Sequence, residues 1–227
     1  MNTLDKVLAV IVASLVGVFV YTGLHYKTLE THILQKHEAI VRLYLEYGAC
    51  SGTVVTPGLI LTARHCIYSD EGVRSDKRVT IRTIDVEDTN VFAHVYYDNP
   101  KTDQALLSGD FSNFKVIRLK NIENKPAIFA APMTACGFPR FQRLMCFPQM
   151  YLNTHLIDLG LEPIMEWMLK GPNTIIPGMS GGPVFSYDGE LIATISALGS
   201  DAGQKEFSFV SPIYDILSKI TETEQKE

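Results

Sequence analysis

An all-β architecture in two successive halves is predicted by three observations. From residue 39 onward, short runs rich in Val, Ile, Leu, Thr and Tyr follow one another in quick succession. Gly, Pro, Asn and Asp clusters separate them, which is the pattern of a sandwich or barrel built from many short strands. Residues 127–132, a connection of mostly small residues with Pro126 and Pro132 at its ends, divide the runs into two similar sets.

Residues 7–24 carry no charge and are rich in Val, Leu, Ile and Ala, with Lys6 before them and His25 and Lys27 after. Eighteen such residues are just long enough for a membrane helix. No pair of small residues resembling a cleavage site follows the apolar run, so an uncleaved signal anchor is favoured over a secretory peptide. The flanking charges differ little and leave orientation open. Residues 1–26 are therefore expected to form a transmembrane anchor, and 27–38 a juxtamembrane linker with Leu29, Ile33 and Leu34 at helical spacing. The first β half is expected over residues 39–131, with strands at 39–47, 51–56, 59–62, 78–83, 91–97, 105–107 and 115–119. The second is expected over 132–227, with strands at 133–138, 144–152, 163–170, 182–186, 190–197 and 206–210. Ile213, Ile216, Leu217 and Ile220 then fall on one face of a short C-terminal helix over 212–220, for which Ser211 is the expected cap.

The chain has 46% hydrophobic and 20% charged residues, in the range of an ordinary globular protein. Its net charge of −5 and its lack of any Lys/Arg run exclude an electrostatic footprint for nucleic acid. Cys50, Cys66, Cys136 and Cys146 contain no Cys-x-x-Cys pair, which argues against a zinc ribbon or a thioredoxin-like site. Two disulfides or four buried thiols remain, according to the compartment.

Three motifs carry chemistry. Ile176-Pro-Gly-Met-Ser180-Gly-Gly-Pro-Val184 sets a hydroxyl in a glycine-rich turn that can aim backbone N–H groups at one point. Cys50-Ser-Gly-Thr-Val-Val leads through Leu61-Thr-Ala-Arg to His65-Cys66, and Asp103 opens the apolar run Gln104-Ala-Leu-Leu107. Together, and in the order His, Asp, Ser, they resemble the motifs of the chymotrypsin/trypsin-like serine proteases, with the aspartate motif most similar to the HtrA branch. The resemblance spans about residues 38–220. It implies a chymotrypsin-like fold of two six-stranded antiparallel β-barrels and a serine endopeptidase that works through an acyl-enzyme and needs no metal or other cofactor. His65 is implied as general base and acid, Asp103 as the acid that orients it, and Ser180 as nucleophile, with the Gly178 and Ser180 N–H groups as oxyanion donors. The chemistry requires that combination, because a serine hydroxyl is a poor nucleophile until a base near neutral pKa removes its proton.

The resemblance also implies a Cys50–Cys66 disulfide and allows a second one between Cys136 and Cys146. Both would set the catalytic domain outside the cytoplasm, on the far side of the expected membrane anchor. By position, Thr174 falls at the base of the primary pocket, and Ser196, Ala197 and Leu198 fall on the segment that pairs with substrate backbone. A narrowed apolar pocket, favouring a small aliphatic residue before the cut, is expected. The partners expected are thus a peptide or protein substrate and, through residues 7–24, a membrane.

Two departures from the family pattern stand out. Met179 occupies the place where digestive members carry an aspartate that pairs with a newly released N-terminus, so that ion pair is not available for activation. Arg64 replaces a small residue before the histidine, and its cationic end must find solvent or a carboxylate. Only 47 residues follow Ser180, too few for the PDZ domain of HtrA enzymes.

His25, His32, His37, His94 and His155 are read as structural or surface residues. Asp98 and Asp110 flank Asp103 without its apolar context, and Glu166, beside Trp167, is read as an exposed strand position. A non-catalytic binding module on the same scaffold is the main alternative function, and the intact His, Asp and Ser set argues against it. An α/β-hydrolase esterase lacks support, since the chain after Val184 reads as strand.

Overall fold

The computed structural model describes residues 36–45, 48–68, 79–82, 91–117, 119, 131–140, 142–158, 163–171, 175–200 and 206–224. Within the compact unit Lys36–Glu227, the first six strands are β1 (Ile40–Leu45), β2 (Gly48–Thr56), β3 (Leu59–Ala63), β4 (Val79–Arg82), β5 (Val91–Asn99) and β6 (Gln104–Ser108). They close into a barrel in the order β1-β2-β3-β6-β5-β4. The second six are β7 (Pro132–Gly137), β8 (Met145–Asp158), β9 (Pro163–Lys170), β10 (Pro183–Ser186), β11 (Leu191–Ser200) and β12 (Glu206–Pro212). They form the barrel β7-β8-β9-β12-β11-β10. Its closing seam is narrow, with short β10 meeting β7 through three pairs from Val184↔Ala135 to Ser186↔Met133. Every pairing is antiparallel, so inward and outward residues alternate and each barrel fills with its own apolar set. Val41, Leu43, Val54, Ile60, Leu107 and Phe111 pack the first. Phe147, Trp167, Leu169, Met179, Ile195 and Val210 are among those that pack the second.

Several expectations need correction. The described residues of the strand expected at 115–119, which are 115–117 and 119, are not in a strand. The Ile117 N–H bonds the Val54 carbonyl at 2.9 Å as an irregular return along β2. The C-terminal helix, α1, runs Tyr214–Glu224. Ser211 does not cap it, because β12 continues through Pro212 and the Ser211 hydroxyl is bonded elsewhere. The helix docks through buried Ile216 and Ile220, with Ile213 buried just before it, and the Tyr214 ring stands edge-on to Trp167 at 5.8 Å.

The membrane anchor is the largest correction. Among the described residues no helix is long and apolar enough to cross a membrane. The longest, α1, has 11 residues. It extends only ~16 Å at 1.5 Å per residue, against the ~30 Å of a bilayer's hydrocarbon core. Residues 7–24 and the linker expected after them lie outside the described residues, apart from residues 36–38 at the linker's end. The single-pass topology, the membrane as a partner and the extracytoplasmic location that rested on the anchor are accordingly dropped.

Both pairs of cysteines are bonded, Cys50 to Cys66 and Cys136 to Cys146. The first ties β2 to the one-turn 3-10 helix Arg64–Cys66 across a separation of 16 residues. The second joins directly paired residues of β7 and β8. Replacing Cys50 and Cys66 together by alanine should lower the unfolding free energy by about 3 kcal/mol in urea titrations, the loop-closure value for such a span. A loss under about 1 kcal/mol would mean that the segment after β3 does not depend on the bond.

Candidate active site

β3 ends at Ala63 and the chain turns at once through the 3-10 helix Arg64–Cys66, which leaves the His65 side chain 40% exposed. Opposite it, the turn before β6 holds Asp103 at φ 46°, a left-handed conformation that aspartate tolerates better than most residues. The arrangement is fixed by four hydrogen bonds. The Arg64 N–H donates to the Asp103 carbonyl at 2.8 Å, and the His65 N–H to Asp103 Oδ1 at 2.8 Å. His65 Nδ1 lies 2.7 Å from Asp103 Oδ2, and the Ser196 hydroxyl donates to the same oxygen at 2.6 Å. Asp103 is only 5% exposed, so these donors replace the water that the carboxylate loses.

Ser196 occupies this place because of a β-bulge. Ile195 pairs with Val210 and Ala197 with Phe209, which leaves Ser196 as the extra residue of β11. A bulge re-aims one residue, and here it presents both polar groups of Ser196 to the site. The hydroxyl goes to Asp103, while the carbonyl accepts the Ser180 hydroxyl at 3.4 Å. Ser196 is thus the common neighbour of Asp103 and Ser180.

The loop that carries Ser180 is pinned peptide by peptide. The Arg140 N–H bonds the Pro177 carbonyl at 3.1 Å, and the Ser51 hydroxyl bonds the Gly178 carbonyl at 2.9 Å. The Ser51 N–H bonds the Ser180 carbonyl at 2.8 Å. The N–H groups of Met179, Gly181 and Gly182 go to Ile176, Ile195 and Met179. Those of Gly178 and Ser180 donate to nothing among the described residues. In a trans peptide the C=O and N–H point in opposite directions. Holding the Pro177 and Met179 carbonyls therefore turns the Gly178 and Ser180 N–H groups the other way. Gly178 is required at its position twice over. Its φ is 101°, and a Cβ there would lie 2.6 Å from both Arg140 N and Phe138 O.

The electrostatics around the site meet one expectation of the sequence and overturn another. Arg64 finds its carboxylate in Asp98, with Nε at 2.8 Å from Oδ2, while its guanidinium stacks 4.0 Å above the Tyr68 ring. The Tyr68 hydroxyl donates to the other Asp98 oxygen at 2.9 Å, so Asp98 serves Arg64 and stays out of the Asp103 cluster. Glu166, expected to be exposed, is fully buried. Its Oε1 accepts the Ser211 hydroxyl at 2.7 Å, and burial pushes its pKa up to about 7 against the pull of the Ser196 and Ser211 hydroxyls. The signal available in the sequence was its placement next to Trp167 in an otherwise apolar strand.

Thr174 lies outside the described residues. Ala197 and Leu198 lie on β11, paired with Phe209 and Ser208 of β12. Cys50, His65 and Cys66 come within 4.8 Å of one another. Both sulfurs are in a disulfide, however, and offer no thiolate to a metal.

Two closed antiparallel barrels, with a serine turn from one facing a histidine–aspartate pair from the other, define the class of two-barrel serine hydrolases. The trypsin-like peptidase domain matches residues 50–193, and the chain belongs to that family, among the serine endopeptidases. Chymotrypsin-C of Rattus norvegicus is 22% identical over 180 residues, 71% of this chain and 66% of that protein. The Rv3671c protease from M. tuberculosis in its active form is similar in fold at 19% identity and a TM-score of 0.67, covering 83% of each chain. The HtrA-type protease AlgW with a tripeptide is similar at 21% identity and a TM-score of 0.66, over 86% of this chain and 62% of its own. The trypsin-like membership expected from the motifs is therefore shown, and the likeness to the HtrA-type protease is one of fold.

Ser51 is buried and bonds the serine loop through its hydroxyl and its N–H, and the hydroxyl also accepts the Phe138 N–H at 2.8 Å. Ser51→Ala should destabilise the fold by about 1–3 kcal/mol in urea titrations, since a buried carbonyl and a buried N–H lose their partner together. An unchanged midpoint would contradict this bridging role.

Proposed function

We propose that this chain hydrolyses peptide bonds through Ser180, His65 and Asp103. The single observation that carries the reading is the pair of uncommitted N–H groups at Gly178 and Ser180, interleaved with those of Met179, Gly181 and Gly182, which are bonded. Donors fixed before the reaction stabilise an oxyanion without reorganising when charge develops, which is usually the largest electrostatic contribution to such chemistry.

In this reading the Ser180 Oγ attacks the scissile carbonyl carbon while His65 Nε2 takes the hydroxyl proton. The carbonyl π electrons move onto oxygen, and the resulting oxyanion is held by the N–H groups of Gly178 and Ser180. Asp103 keeps the His65 Nδ1–H in place and stabilises the imidazolium. His65 then gives its proton to the departing amine as the C–N bond breaks, which leaves an ester on Ser180. Water, deprotonated by His65, opens that ester and restores the hydroxyl. Exposure of His65 agrees with a group that must meet substrate.

Substrate backbone would lie along the β11 edge near Ser196, Ala197 and Leu198, adding a strand where the pairing of β10 with β11 has ended at Thr194. An extended peptide is thus the substrate class.

A fluorophosphonate should label the folded chain at Ser180, and Ser180→Ala should abolish both labelling and turnover while leaving the unfolding transition in place. His65→Ala should reduce kcat by about 10⁴-fold or more. A folded wild-type chain that does not label, or a Ser180→Ala protein that still cleaves peptides, would overturn the reading.

A further inference from the structure

Arg64 stands beside His65 where the family pattern has a small residue, and the proposed reaction gives its side chain no task. Its atoms reach the segment before β6 at two points. The backbone N–H donates to the Asp103 carbonyl at 2.8 Å, and the side-chain Nε donates to Asp98 Oδ2 at 2.8 Å. Asp98 lies near the end of β5, so one arginine holds both ends of the turn between them. That grip is itself held. The Tyr68 N–H bonds the Arg64 carbonyl at 3.2 Å, and the Tyr68 ring lies 4.0 Å from the guanidinium. The Tyr68 hydroxyl donates to Asp98 Oδ1 at 2.9 Å, so both carboxylate oxygens are taken. The Arg64 and Asp98 side chains are 13% and 26% exposed, and salt screens such a pair less than a surface one.

Inside the turn, the bonds run back to Asn99, the residue after Asp98. The Lys101 N–H donates to Asn99 Oδ1 at 3.0 Å and the Thr102 N–H to the Asn99 carbonyl at 3.4 Å. On the other side of Asp103, the Gln104 amide donates to the Ser211 and Pro212 carbonyls at 3.1 Å each, which fixes that side on the second barrel. Asp103 between them has φ 46°. A residue other than glycine keeps such a conformation only where its surroundings over-determine it. With Gln104 fixed, the β5 side is the one from which the turn can relax, and Arg64 closes it.

Resting on the triad reading, we infer that Arg64 is a positioning residue: clamped by Asp98 and Tyr68, it holds the Asp103 turn so that the carboxylate meets His65 Nδ1. It acts through the turn and not through its charge, which the Asp98 carboxylate offsets. Arg64 directly precedes His65 in the chain, so one residue sets both members of the pair. Loosening the clamp lets Asp103 Oδ2 leave its 2.7 Å contact with His65. A displacement on the order of 1 Å in a catalytic constellation can cost ~10²-fold in rate.

The test measures kcat and KM of the folded variants beside the low-field NMR signal of the His65 Nδ1 proton in the full chain. Arg64→Ala should lower kcat by about 10- to 10²-fold at unchanged KM, and move the proton signal upfield as its bond to Asp103 lengthens. Asp98→Ala should change kcat and the signal in the same direction, even if Arg64→Ala fails to fold. The double variant should be no slower than Arg64→Ala alone, because the two residues act as one unit. Asp98→Asn keeps an acceptor for Arg64 Nε and should lose less than Asp98→Ala. The two alanine variants alter the local charge in opposite senses, so an effect of charge alone would move the proton signal in opposite directions and overturn the inference. Wild-type kcat with an unmoved signal in the folded variants would overturn it equally. The proton signal needs no turnover, so a Ser180 that does not label would strike the triad reading and remain distinguishable from a failure of the clamp.

Discussion

The bond network of Ser51 is the constraint on which the rest of the site depends. Ser51 belongs to β2 of the first barrel, yet its hydroxyl and N–H hold the Gly178 and Ser180 carbonyls of the second. Its own carbonyl accepts the Thr62 hydroxyl at 2.8 Å, only three residues before His65. One residue thus fixes the serine turn against the strand that delivers the histidine. Close approach is possible because Gly181, at φ 81°, has no Cβ; one there would fall 2.1 Å from Thr62 Oγ1 and 2.3 Å from the Ser51 carbonyl oxygen. The glycines of the motif are explained by what they must lie against.

This seam also answers the question raised by Met179. In digestive relatives the residue before the serine is an aspartate that needs a cationic partner, and a buried carboxylate without one costs several kcal/mol. Met179 is fully buried in the second core with Phe147, Trp167 and Val210. Burying such a side chain stabilises by about 1.5–3 kcal/mol and requires no partner. The turn is therefore anchored below by an apolar side chain and above by Ser51 and Arg140. Its geometry is a property of the folded chain and involves no ion pair at that position.

The sequence made the motifs legible and left the contacts between them hidden. His65, Asp103 and Ser180 announce themselves because each sits in a short, distinctive run, and most of the strands follow from β-prone runs between turn residues. Residues 115–119 misled because a β-prone run can satisfy its backbone with a single bond to Val54. The apolar run at 7–24 was long enough to suggest a membrane span, but length and hydropathy are all it offers. Glu166 was misread because alternation along β9 does not reveal that β11 and β12 would set two hydroxyls against it. Ser51 and the bulge at Ser196 depend on which strands meet, and no local pattern encodes that.

The central claim is that the oxyanion site is assembled in the free chain. It is tested most directly by crystal structures of the protein alone and with a peptide aldehyde bonded to Ser180. The account predicts the hemiacetal oxygen at about 2.7–3.1 Å from the N–H groups of both Gly178 and Ser180, with residues 176–182 superposing between the two forms. A Pro177–Gly178 peptide that is turned over in the free protein and flips only when the aldehyde binds would contradict it.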